Sequence, residues 1–219
     1  MCFDERTSWT TLVIGTILNM ICIGILSKSK DTNTIVPIVF ILLWQYALLM
    51  QIPDALAWRY PDSIIPPKMA CFLNTTQPII ALLLVLYIKS IIGTSKLTIY
   101  PVIIAVLVYS VSILIDINKS SLTNMKPVDS CHNLTYDWWS PRSFIFYMIA
   151  ILLFIWTIPV KSAGKGILLI NTLIFIGSFI VTYMIAGAKC SNSSLWCWSI
   201  ASAGLITFLY YIIVRSYDL

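Results

Sequence analysis

Apolar residues run along this chain in long blocks, with no alternation between apolar and polar positions. Seven blocks stand out: Trp9 to Leu26, Ile35 to Trp58, Met69 to Ile88, Leu97 to Ile117, Ser143 to Val160, Gly166 to Ala188 and Leu195 to Val214. Each is close to the ~20 residues that an α-helix needs to cross the hydrocarbon layer of a bilayer. Strands do not fit these runs, and a spanning backbone must bond within itself or close into a barrel. The pattern predicts an all-α fold, a polytopic transmembrane bundle of about seven helices, with residues 1–219 as a single domain.

The breaks are short and polar. Ser27 to Thr34, Lys89 to Lys96 and Lys161 to Lys165 read as tight connections, and Tyr60-Pro61 with Pro66-Pro67 punctuates the break after the second run. The one long loop is 118–142, between the fourth and fifth runs.

Composition sharpens this picture. The chain is 59% hydrophobic and 11% charged, with a mean hydropathy of +0.89. A soluble domain carries about 25% charged residues, so most of this surface must face lipid. The net charge of +5 does not indicate nucleic acid. Its Lys and Arg sit in the breaks and form no stripe, as membrane-flanking cations do. Asp4, Glu5 and Arg6 precede the first run in place of the basic segment of a cleavable leader, so that run is expected to persist as an anchor.

Seven spans put the termini on opposite sides. One side holds Lys28, Lys30, Lys89, Lys96, Lys161, Lys165 and Arg215, and the other holds Arg6, Arg59, Lys68, Lys119, Lys126, Arg142 and Lys189. The first set lies in the shorter loops, and short loops weigh most in setting orientation. The expectation is an N-terminus outside and a C-terminus in the cytoplasm. The sequons at Asn133 and Asn192 fall on the outer side and are candidate glycosylation sites. Cys2, Cys71, Cys131, Cys190 and Cys197 gather near that side too, which suggests an oxidising compartment. Cys71 opens the third run and Cys131 lies in the long loop. That placement resembles the disulfide tying the third helix to the second outer loop in G-protein-coupled receptors, so Cys71 and Cys131 are the candidate pair. Pairing of Cys131 with Cys190 or of Cys2 with Cys197, or unpaired thiols, stays open.

Polar groups within apolar runs are costly and mark functional candidates. The second run holds Trp44, Gln45, Gln51, Asp54 and Trp58, of which Trp44, Gln51, Asp54 and Trp58 share one face of a straight helix. The third holds Asn74 and Gln77 on the face of Cys71, followed by Pro78, which removes a backbone bond to residue 74. The fourth presents Tyr109, Ser112 and Asp116 together. These make Trp44, Gln45, Gln51, Asp54, Trp58, Asn74, Gln77, Tyr109 and Asp116 the candidate ligand-binding residues. Alternatively they are interhelical glue, or headgroup-level polar ends for Asp54 and Asp116. Asn19, Asn171, Ser178 and Thr182 add polar points to other runs, and Gly15 and Gly177 permit close helix approach.

Several chemistries lack their residues. The last run contains no lysine for a retinal Schiff base, and His132, in a loop, is the single histidine, too few for an intramembrane zinc hydrolase. No metal site, cofactor motif, phosphate loop or hydrolase elbow is present in the sequence.

Four short motifs carry a resemblance. They are Met1-Cys2-Phe3 with Ser8, Trp44-Gln45 with Gln51 and Trp58, Thr76-Gln77-Pro78, and Leu195-Trp196-Cys197-Trp198. Together they resemble a family of uncharacterised multi-pass membrane proteins of large DNA viruses and some microbes. The chain departs from it at Asp4, where members often carry serine, and at Asp54, near which they carry glutamate. The resemblance implies a viral origin and no mechanism. The expected function is a receptor-like or small-ligand- or lipid-binding bundle. Its pocket is expected near the outer side, between runs two, three, four and seven, and its partners are the lipid bilayer and a small apolar ligand or lipid. The alternatives are a lipid-processing enzyme using Asp54 and Asp116 as acid and base, and a transporter or structural viral membrane protein.

Overall fold

The computed structural model describes residues 4–29, 34–92, 99–120, 127–128, 133–134, 140–158, 165–186 and 200–217. Among these, the chain forms eight α-helices: α1 (Glu5–Leu26), α2 (Ile35–Leu48), α3 (Gln51–Arg59), α4 (Ile65–Ile92), α5 (Tyr100–Lys119), α6 (Pro141–Thr157), α7 (Lys165–Ala186) and α8 (Ala203–Tyr217). A short 3-10 turn, Ile200–Ser202, leads into α8. Because α2 and α3 continue one another, the eight helices make seven rods, one for each apolar run. The long loop contributes a two-residue antiparallel pairing of Pro127–Val128 with Asn133–Leu134.

Local chemistry explains where the boundaries move from the sequence expectation. Helix α1 starts at Glu5, ahead of Trp9, because the Asp4 carboxylate accepts the Thr7 amide N–H at 2.6 Å and caps the helix. Pro66 and Pro67 do not end a connection; they sit in the first turn of α4, where the missing N–H has no helical partner to lose. Helix α6 begins at Pro141, earlier than Ser143, because Ser140 accepts the Ser143 amide as its N-cap.

The second run is not one straight helix. Pro53 has no N–H for the Leu49 carbonyl, and its ring crowds that oxygen. The Ile52 amide takes the Leu49 carbonyl at 3.0 Å, and the Leu49 and Met50 amides bond Tyr46 and Ala47 at 3.2 Å each. These i→i−3 bonds tighten one turn and break the rod at Leu49–Met50. Across this break Trp44, Gln51 and Asp54 are all buried and Trp58 is half-buried.

Among the described residues, four rods are long and apolar enough to cross a membrane: Glu5–Leu26, Ile35–Arg59, Ile65–Ser90 and Tyr100–Lys119. Pro141–Thr157 is a shorter apolar helix, and the stretches Lys165–Ile180 of α7 and Ala203–Val214 of α8 are apolar as well. The second rod is central: 61% of its apolar window is buried, against 22% for α1. It packs on α1, α4 and α8 and buries Val39, Phe40, Ile41 and Leu48, while α5 packs on α6.

Large apolar side chains also cover the outside. Val13, Ile14, Ile17 and Ile21 line the outward face of α1, and Ile104, Leu107, Val111 and Leu114 that of α5, each more than half exposed. The interior in turn holds Asn19, Gln51, Asp54, Asn74, Gln77, Asn171 and Thr207, each at most 1% exposed. Soluble proteins rarely leave contiguous apolar patches of this kind uncovered.

Candidate functional site

The buried polar side chains form separate bridges between rods. In the first, the Trp44 indole donates to Asn171 Oδ1 at 2.7 Å, and the Thr207 hydroxyl reaches the same oxygen at 3.0 Å. The Asn171 amide donates to the Ile167 carbonyl at 2.8 Å, one turn back in its own helix. This bridge ties α2, α7 and α8. In the second, Asn19 Nδ2 donates to Gln45 Oε1 at 2.9 Å, and Gln45 Nε2 donates to Thr16 Oγ1 at 3.0 Å, joining α1 to α2. Gly204 lies against the Asn19 amide so closely that a methyl group there would overlap it. Gly15 is also tight, with Leu48 Cδ2 2.5 Å from where a methyl would stand. Among the described residues nothing stands within 4 Å of where a methyl on Gly177 would lie, so its expected role in close helix approach is corrected there.

A third bridge runs across α4, α6 and α5. Gln77 donates to Asn74 Oδ1 at 3.4 Å, the Tyr147 hydroxyl donates to Gln77 Oε1, and the Tyr147 and Tyr109 rings stand 5.9 Å apart. Asn74 Nδ2 finds no acceptor among the described residues. Tyr46 and Thr76 share a 2.5 Å hydroxyl contact between α2 and α4.

The fourth bridge is charged and joins α5 to α6. Asp116 Oδ2 accepts the Ser140 amide at 3.2 Å together with the hydroxyls of Ser140 and Ser143. Asp116 Oδ1 pairs with Arg142 Nη2 at 3.3 Å. Arg142 Nε donates to Ser112 Oγ at 3.0 Å, and Ser112 and Ser143 hydroxyls are 2.7 Å apart. The donor order follows from charge. The guanidinium can only donate and the carboxylate only accept. Protons therefore run from Arg142 to Ser112, from Ser112 to Ser143, and from Ser143 to Asp116.

The nine candidate residues thus occupy distinct environments. Trp44 serves the first bridge and Gln45 the second; Asn74, Gln77 and Tyr109 serve the third, and Asp116 the fourth. Gln51 and Asp54 are buried on α3, which packs on α1 and α4, and Trp58 is half-buried on the same helix. Asp116 bonds Ser140, Arg142 and Ser143 at the start of α6, whereas Asp54 lies on α3, which packs on α1 and α4. Cys71 is buried on α4, while Cys131 and Asn192 lie outside the described residues, as does the side chain of Asn133. No group of three His, Cys, Asp or Glu side chains able to hold a metal occurs among the described residues.

Sequence reasoning passed over Ser140, Arg142, Ser143, Tyr147 and Thr207 as site residues. Ser140-Pro141 ahead of an apolar run is a helix-start signature that would have placed the first three at one helix end. Tyr147 and Thr207 carry no local signal.

The structure also has an open groove of about 360 Å³ between α5 and α6. Its walls are Leu107, Val108, Val111, Ile115 and Phe146, and Ser112 and Arg142 stand at its polar part. It lies on the outer surface, away from the interior position expected between runs two, three, four and seven.

Comparison of the chain with protein-family models, curated proteins and solved structures finds no match. Fold and geometry define the class at hand: an all-α bundle with an apolar exterior and hydrogen-bonded polar interior.

Proposed function

We propose that this chain is an integral membrane protein that binds lipid or a small apolar ligand, in the manner of a receptor-like bundle rather than an enzyme. The observation that carries the reading is the inverted surface: isoleucine, leucine and valine outside, amides and carboxylates inside. In lipid, apolar exteriors cost nothing, and interior polar groups that bond across helices hold the rods together. The proposal includes an outward N-terminus and a cytoplasmic C-terminus, from the Lys and Arg distribution. The Glu5–Arg59 ion pair at 3.2 Å gathers the start of α1 and the end of α3 at one end of the bundle, as antiparallel spans require whichever way the bundle faces. A viral origin, from the motif resemblance, belongs to the same proposal.

The test is extraction and protease protection. After expression in cells, the chain should stay in the pellet through an alkaline carbonate wash and leave it only with detergent. A tag after Leu219 should be protected in sealed, right-side-out vesicles. Release by carbonate sinks the membrane reading; cleavage of the tag inverts the topology.

A further inference from the structure

We infer that the groove between α5 and α6 is a binding site for one membrane phospholipid, with its phosphate held by Arg142 and one acyl chain lying along Val111 and Leu107. This rests on the membrane reading above and assigns the ligand class.

Shape is the first argument. From Ile115 to Leu107 the α5 wall spans about 12 Å at the helical rise, lined by apolar side chains that face outward. Phe146 forms the α6 wall, and the groove is open along its length, as a chain entering sideways from the bilayer requires. Its volume of about 360 Å³ is at the small end of the ~300–1,000 Å³ common for ligand sites, which suits one chain.

Charge is the second argument. Arg142 is the second residue of α6, so the cation lies near one end of the bundle, where headgroups lie in a membrane. Its side chain is 52% exposed beside an apolar groove. The guanidinium has five N–H donors in a rigid fork. Nε serves Ser112 and one Nη2 hydrogen serves Asp116, and the other three have no partner among the described residues. Asp116 does not cancel this capacity. Its Oδ2 is taken up by Ser140 and Ser143, and its Oδ1 fixes the fork in place. An arginine held this way binds phosphate with two parallel N–H···O bonds. A diacylglycerol offers the same chains and no anion, so it would leave those donors unmet.

The experiment uses the full chain in mild detergent micelles doped with phosphatidylglycerol or with diacylglycerol, read by native mass spectrometry. The expected result is one phosphatidylglycerol per chain and little diacylglycerol. Arg142→Gln should lower phospholipid retention at least fivefold. Because that variant also disturbs Asp116, Val111→Trp is the second arm: it fills the groove from an outward-facing position and leaves the ion pair intact. It should lower retention as much. Equal retention of diacylglycerol, or wild-type retention by Val111→Trp, overturns the site. So does a lipid-free dimer that Val111→Trp splits, since the groove would then hold a second copy. A chain that carbonate releases from membranes fails at the level of the membrane reading, which separates the two failures.

Discussion

Replacing Asn171 with leucine tests the most fully bonded bridge in the bundle. The substitution keeps the branched shape of the side chain, with two larger methyl groups in place of the amide O and NH2, and removes the acceptor shared by Trp44 and Thr207. Thr207 loses little, because its hydroxyl already reaches the Ala203 carbonyl at 2.8 Å and its single proton can settle there. The Ile167 carbonyl belongs to a helix and keeps its backbone partner. Trp44 has no such recourse: its indole N–H is left in a site where the residue is 2% exposed. An unmet buried donor costs about 1–3 kcal/mol in water-soluble proteins. Interhelical bonds in membranes average ~0.6 and reach ~1.7 kcal/mol, because the unfolded helices find other partners. The expected coupling between Trp44→Phe and Asn171→Leu is therefore ~0.6–1.7 kcal/mol in a double-mutant cycle. Unfolding of the four proteins by sodium dodecyl sulfate in mixed micelles measures it, and the cycle removes the packing cost of shortening the indole. Coupling below ~0.3 kcal/mol, the scatter of independent sites, would mean that the bond does not hold α2 against α7 and α8.

Three further outcomes follow from the same geometry. Gly204→Ala should destabilise by driving a methyl into the Asn19 amide, while Gly177→Ala, with open space around it, should be neutral or gain up to ~1 kcal/mol from helix propensity; equal effects in a thermal melt would show that Gly204 is not a close-approach point. Asp116→Ala should cost ~1.5–3 kcal/mol, the scale of hydrogen bonds to a charged group, and Asp116→Asn less, because its amide oxygen still accepts from Ser140 or Ser143; mixed-micelle unfolding indistinguishable from wild type for Asp116→Ala would remove the α5–α6 anchor. The Thr7 amide holds the Asp4 carboxyl below its ordinary 3.8, so the cap is fully present above that value and is lost as pH falls through the lower folded one; a carboxyl carbon titration by nuclear magnetic resonance with its midpoint at or above 3.8 would contradict the cap.

The seven rods, their all-helical character and most of their bounds were legible from the run of apolar residues alone, because the length of an apolar block and the absence of alternation depend on no other part of the chain. The candidate polar residues were legible as a set for the same reason: an amide or carboxylate inside an apolar run is conspicuous wherever the helix packs. Their partners were not. Trp44 and Asn171 are 127 positions apart and meet because α2 and α7 pack together, and Asp116 meets Arg142 across a long loop. The break at Leu49–Met50 was half visible in Pro53, which forbids one bond, but a proline alone does not say whether a helix bends, breaks or runs on, as α4 does through Pro78. Glycines show the limit most plainly. Gly177 and Gly204 look alike in sequence, and only the neighbouring helix decides which one has an amide pressed against it, because the space beside a missing side chain belongs to the tertiary structure.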